Sequence, residues 1–118
     1  MIFSDTTPIY LQIADYVSEQ IIMQKWQPET RIPSVRELGV ALEVNPNTIL
    51  RSYDYLQTHQ IIINKRGIGY FVTQDAILRI NTLKRESFFQ KDIPILAKSM
   101  TLLNISIEEL IEALKDKI

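Results

Sequence analysis

The sequence predicts a mainly α-helical chain with one small β-hairpin: an N-terminal winged helix-turn-helix over residues 1–74 and a short C-terminal helical dimerisation element over 75–118. Three observations predict it. Apolar residues recur at helical spacing in three stretches between residues 8 and 58, and the second and third stretch are joined by a turn of about three residues. Two strand-like runs follow, with glycines and a basic pair between them. The remainder returns to helical spacing.

Thr7-Pro8 opens the first helix, with Thr7 as N-cap and Pro8 in the first turn. Tyr10, Ile13, Val17 and Ile21 then form one apolar face of a helix over about 8–24. Pro28 marks its end, and residues 25–31 are expected as a loop. Ser34 and Glu37 form an S-x-x-E capping box that starts the second helix, about 35–42, with Val35, Leu38, Gly39 and Leu42 as its inner stripe. Asn45-Pro46 starts a third helix running to about Thr58, which buries Ile49, Tyr53 and Leu56.

Ile61-Ile62-Ile63 and Tyr70-Phe71-Val72 are the strand candidates, and the glycines of Lys65-Arg66-Gly67-Ile68-Gly69 suit a tight hairpin. Residues 75–88 are mixed. Phe89, Ile93, Leu96, Met100 and Leu103 then step by 4, 3, 4 and 3, the seam by which one helix packs on another. That seam is expected to join two copies of the chain; a cap packed back on its own winged domain is the competing expectation. Pro94 within the seam starts or kinks a helix. Asn104-Ile105 interrupts the pattern, and Ser106 with Glu109 is expected as a second capping box before Ile107, Leu110, Ile111 and Leu114.

Composition narrows the function. The chain has no cysteine, which excludes disulfides and thiolate metal sites and fits a reducing cytoplasm. One histidine leaves little for a transition metal, and no cofactor is expected. No apolar run approaches the roughly 20 residues of a membrane span. Residues 1–5 lack the basic and apolar regions of a secretory signal. The net charge is −1, and residues 1–73 hold six Lys/Arg (Lys25, Arg31, Arg36, Arg51, Lys65, Arg66) against seven Asp/Glu. Any attraction to phosphate must therefore come from the placement of these cations rather than from their number.

A helix in the major groove presents its first turns to base edges. With Ile49, Tyr53 and Leu56 inside, Asn47, Thr48 and Arg51 fall on the outer face, with Tyr55 one turn further. Asn can bond adenine, and Arg can bond guanine or hold a phosphate. An ordinary solvated face is the competing reading of these residues alone. Ser34 and Arg36 open the helix that crosses the DNA backbone, so phosphate is their expected partner. Ser34 is a helix cap whatever else it does, and half of an ion pair is the competing reading of Arg36. Lys65, Arg66, Gly67 and Gly69 would form a wing whose backbone and charges reach minor-groove phosphates. Enzymatic readings are weak: His59 stands alone at a helix end, Asp15 and Glu19 form no carboxylate dyad, and the glycines lie between strands rather than before a helix.

Four motifs in order carry a resemblance: Pro8-Ile9-Tyr10-Leu11-Gln12-Ile13, Arg31-Ile32-Pro33-Ser34-Val35-Arg36-Glu37-Leu38, Val44-Asn45-Pro46-Asn47-Thr48 and Arg66-Gly67-Ile68-Gly69-Tyr70-Phe71-Val72. Over residues 8–72 the chain resembles the GntR family of bacterial regulators, and the short tail is similar to that of its YtrA-like branch. The resemblance implies a winged-helix operator-binding dimer, usually a repressor, with Arg36, Asn47, Thr48, Arg51 and Gly67 at or near DNA; Asn45, the cap of the third helix, is also expected in the DNA-binding set. It implies a tail that dimerises, often in regulators of transporter operons, and no fused ligand-binding domain of the larger kind. Gln24, Glu29 and Gln60 stand where the family commonly has glycine, which bears on turn geometry. Leu50 stands where many members carry their helix arginine. The expected partners are double-stranded operator DNA and a second copy; the sequence identifies no small-molecule effector. A winged helix that binds protein, without useful DNA affinity, is the alternative.

Overall fold

The computed structural model describes residue 3 and residues 6–118. The reading of residues 1–5 as lacking a secretory signal lies, Phe3 apart, outside the described residues. The element order is α1 (Ile9–Ile22), α2 (Val35–Leu42), α3 (Pro46–Thr58), β1 (Ile62–Lys65), β2 (Gly69–Val72), α4 (Ala76–Ser87), a π-helical turn (Phe88–Asp92), α5 (Ile93–Leu103) and α6 (Ile107–Lys115). Two compact units divide the chain, Met1–Asn81 and Thr82–Ile118.

In the first unit, α1 starts one residue later than expected. Pro8 is its N-cap, and its carbonyl accepts from the N–H groups of Leu11 and Gln12, while the Thr7 carbonyl accepts from the Gln12 side chain at 2.7 Å. The helix ends at Ile22 rather than residue 24, because Gln24 turns left-handed at φ 60°. The capping box of α2 is present in both directions: Glu37 N–H donates to Ser34 Oγ at 3.0 Å, and Ser34 N–H donates to Glu37 Oε1 at 2.9 Å. Its end is fixed by a close approach. A Cβ on Gly39 would lie 2.8 Å from the Val44 carbonyl oxygen, so only glycine lets the turn fold back against the helix. Asn45 caps α3 through Oδ1, which accepts from Asn47 N–H at 2.8 Å.

The hairpin pairs Ile62 with Val72 and Lys65 with Gly69, so β1 runs one to two residues later than the isoleucine run suggested. The expected loop 25–31 also needs correcting at its end. Arg31 bridges Phe71, Ile32 N–H donates to Tyr70 O at 2.9 Å, and Val72 N–H donates to Thr30 O at 3.0 Å. The segment before α2 is thus tied to the edge of the two-stranded hairpin by an isolated β-bridge and its flanking hydrogen bonds.

Ile13, Val17 and Ile21 of α1, Leu38 of α2, and Ile49, Tyr53 and Leu56 of α3 are buried together with Ile61, Ile62, Val72, Ala76 and Ile80. Full burial of one such aliphatic side chain contributes roughly 1.5–3 kcal/mol. That term, and not intrinsic propensity, must hold an eight-residue helix such as α2, which would be marginal alone.

The mixed stretch proves helical as α4, and in the second unit a π-helical turn carries the chain into α5. Pro94 follows the π-helical turn directly, and Ser87, Asp92 and Ile93 are all right-handed helical, so the proline lies within a continuous helical stretch and removes one hydrogen bond of its ladder. Asn104 ends α5 in the left-handed conformation at φ 55°. Ser106 Oγ then accepts from Glu109 N–H at 3.1 Å to start α6. No residue of the π-helical turn, α5 or α6 is buried. Among the described residues, no helix is long and apolar enough to cross a membrane.

Candidate nucleic-acid interface

Three structural features of the first unit could present groups to a nucleic acid: the start of α2, the start of α3 and the hairpin. Each is held from below by the core.

The inner face of α3 is fixed by two hydroxyls as well as by Ile49 and Leu56. Ser52 is buried within the helix, and its Oγ donates to the Tyr10 carbonyl of α1 at 2.7 Å, with the Thr48 carbonyl at 3.1 Å. Tyr53 is fully buried; its hydroxyl donates to the Pro33 carbonyl at 2.7 Å, and its ring meets Tyr70 edge-on at 4.8 Å. Burial pushes the Tyr53 phenol well above the usual tyrosine range, with Tyr70 and Glu37 adding to the effect. A neutral, hydrogen-bonded phenol is therefore built into the joint between α3 and the entry of α2.

With that face pinned, the opposite one is set by helical geometry. Asn47 and Arg51 are exposed and Thr48 is half-buried. These three line one shallow concavity with Pro8, Ile9 and Tyr10 of the α1 start. The Arg51 guanidinium lies 4.0 Å from the centre of the Tyr10 ring. Tyr55 lies one turn beyond Arg51, as the spacing suggested, and beside the same Tyr10. It is half-buried, packed edge-on to Tyr10 at 6.3 Å and to His59 at 4.6 Å. Burial, followed by the nearby Asp15 and Tyr10, raises its phenol above the ordinary value.

At the start of α2, Arg36 is exposed in the first turn and Ser34 is engaged as the cap. The Glu37 carboxyl is held below its ordinary value by the Ser34 backbone N–H, then by the Ser34 hydroxyl, and least by Arg31.

The hairpin tip is a turn closed by Ile68 N–H donating to the Lys65 carbonyl at 2.9 Å, which leaves Arg66 and Gly67 exposed at the end. Lys65 Nζ lies 4.3 Å from the centre of the Phe71 ring. Gly69 has φ 137°, and a Cβ there would stand 2.8 Å from Arg31 Nε. The glycine therefore makes room for the arginine, whose side chain lies across the hairpin. Arg31 was not among the residues expected at DNA. The register is what reveals it, because its pairing with Phe71 puts both side chains on the same face of the sheet.

The seam residues Phe89, Ile93, Leu96, Met100 and Leu103 all lie in the second unit. Phe89 falls in the π-helical turn, which shifts its angular position relative to the others, and Ile93 and Met100 are half-covered. Among the described residues, no cluster of His, Asp and Glu could hold a metal ion.

The arrangement offers exposed cations and amide groups on helix starts and on a hairpin. The family model for bacterial regulatory proteins of the gntR family matches residues 9–72. The crystal structure of a transcriptional regulator of that family from Bacteroides thetaiotaomicron is 43% identical, with a TM-score of 0.78 over 93% of this chain and 95% of that one. The HTH-type transcriptional repressor YtrA of Bacillus subtilis is 37% identical over 71 residues, 60% of this chain and 55% of the repressor. The AraR DNA-binding domain in complex with operator ORR3 matches with a TM-score of 0.56 and 26% identity, over 62% of this chain and 88% of that domain.

Proposed function

The chain belongs to the GntR family of bacterial regulatory proteins, and on that premise we propose that it is a cytoplasmic, sequence-specific DNA-binding repressor that holds a palindromic operator as a homodimer. The observation that carries this is the outer face of α3. Asn47, Thr48 and Arg51 stand on the first turns of the second helix of a helix-turn-helix, while Ser52 and Tyr53 hold the inner face. That is the face a major groove receives. The operator complex of the AraR domain, similar in fold, supports DNA as the partner, and the likeness to the YtrA repressor supports repression.

Each residue then has a role. Asn47 and Arg51 meet base edges, and Thr48 lies beside them. Asn45 acts mainly through its cap, which sets the start of α3. Arg36 and the capped start at Ser34 hold the phosphate backbone, which positions without reading sequence. Lys65 and Arg66 reach flanking phosphates, with Gly67 at the tip and Gly69 shaping the hairpin. The function is binding, with no catalytic step.

Two copies meet through the tail. In the single chain, large apolar side chains there stand open: Phe89 is 57% exposed, Leu96 37%, Leu103 69% and Ile111 47%. Water contact over so much apolar surface is unfavourable, and a second copy of the same helices would cover it.

A gel-shift titration on the chain's own upstream promoter tests the proposal. Affinity should exceed that for random duplex by about 1,000-fold or more and should fall linearly in log–log form with added salt. Equal affinity for promoter and random duplex would overturn it.

A further inference from the structure

We infer that Tyr10 is a positioning residue for Arg51: it sets the arginine's orientation on α3 before DNA arrives. The inference rests on the DNA-binding reading above and adds to it a residue of α1 outside the helix-turn-helix.

Three contacts fix Tyr10. Its carbonyl accepts from Ser52 Oγ at 2.7 Å, one residue along α3 from Arg51. Its ring meets the edge of Tyr55 at 6.3 Å, and Tyr55 is backed by His59 at 4.6 Å. The Arg51 guanidinium lies 4.0 Å from its centroid. Backbone and ring are thus both referenced to α3.

The chemistry of the contact favours positioning over sequestration. An aromatic ring attracts a guanidinium through its face, whereas all five N–H donors lie along the guanidinium edge. Contact with the ring therefore leaves the hydrogen-bonding edge available to a guanine or a phosphate. An arginine free in solution must lose rotamer freedom when it binds, and one already resting on a ring loses less. Asn47 and Thr48 line the same concavity, so the oriented edge sits beside the other groups proposed to meet DNA.

The test is a double-mutant cycle on operator DNA with Tyr10→Leu, Tyr10→Phe and Arg51→Ala. Tyr10→Leu removes the ring but keeps apolar bulk, and should weaken operator binding about three- to tenfold. Tyr10→Phe keeps the ring and should bind within about twofold of wild type. In the Arg51→Ala background, Tyr10→Leu should have no further effect. The NMR resonance of Arg51 Nε–H supplies a readout in the free protein: ring-current shifted in wild type and Tyr10→Phe, unshifted in Tyr10→Leu. Tyr10→Met replaces Tyr10→Leu in every arm if the latter does not fold. Equal losses for Leu and Phe, an undiminished loss without Arg51, or tighter binding by Tyr10→Leu would each overturn the inference. Failure of the wild type to prefer its operator would instead overturn the DNA-binding reading, and the inference with it.

Discussion

The hydroxyl of Tyr53 in α3 donates a 2.7 Å hydrogen bond to the carbonyl of Pro33, which precedes the cap of α2. One buried phenol thereby ties the helix proposed to read bases to the start of the helix proposed to hold phosphate. Tyr53→Phe keeps the ring and its contact with Tyr70 but leaves the carbonyl without its donor, at a cost of about 1–2 kcal/mol. Urea unfolding of wild type and variant should show this shift.

The same phenol predicts a pH dependence. Its pKa is raised in the fold, so the folded state holds the proton more tightly than the unfolded chain. Stability is then intact below the ordinary tyrosine value of 10.0 and falls as pH rises above it. Tyr53→Phe should show a shallower alkaline decline. Identical alkaline profiles would contradict the burial argument.

Glu37 predicts the opposite limb. The carboxylate is favoured by the Ser34 N–H and hydroxyl, so its folded pKa lies below the ordinary 4.5. Its contribution is present above that value and is lost as pH falls through the lower folded value. Acid titration of stability should be flatter for Glu37→Gln than for wild type.

Much of this was legible in the sequence because local rules agreed with the fold. Ser34–Glu37 and Asn45–Pro46 announce helix starts by chemistry that involves only neighbours. The buried positions Ile49, Tyr53 and Leu56 followed from spacing alone, and so did the outward set Asn47, Thr48 and Arg51. What was not legible depends on distant partners. Tyr55 looks like a surface residue until α1 supplies Tyr10 as its neighbour. Arg31 looks like a loop residue until Phe71 supplies a strand to pair with. The left-handed turns at Gln24, Glu29 and Gln60 occupy positions where glycine was noted as usual, so there the family pattern gave the conformation that residue type alone would not.

Those left-handed residues predict a stabilising substitution. Gln60 holds φ 60°, which disfavours any residue with a Cβ by about 1–2 kcal/mol. Glycine removes that strain but adds freedom to the unfolded chain, worth about 0.5–1 kcal/mol. The carbonyl of residue 60 still accepts from Thr73 Oγ1, a backbone contact that the change leaves in place. Gln60→Gly should therefore gain roughly 0–1.5 kcal/mol net. Gly69→Ala should do the reverse, because its Cβ would meet Arg31 at a φ of 137°. Thermal melts of the two variants should move in opposite directions.

The tail predicts an oligomeric state. Leu96→Glu places a charge in a surface proposed to be buried between two copies, where it would lack a partner. Light scattering should find wild type as a dimer at micromolar concentration and Leu96→Glu as a monomer with its winged unit still folded. Operator affinity of the monomer should drop steeply, since each winged unit then binds alone. A monomeric wild type would instead favour a tail that caps its own chain.

Selection of binding sites from a random duplex library tests the central claim most directly. Wild type should return a two-fold symmetric motif with half-sites about one helical turn apart. Asn47→Ala and Arg51→Ala should blur defined positions of it, at about 1–3 kcal/mol per lost base contact. Arg36→Ala should return the unchanged motif with weaker binding throughout. A wild-type selection with no motif, or an unchanged motif in both the Asn47 and the Arg51 variants, would contradict the assignment of sequence reading to α3.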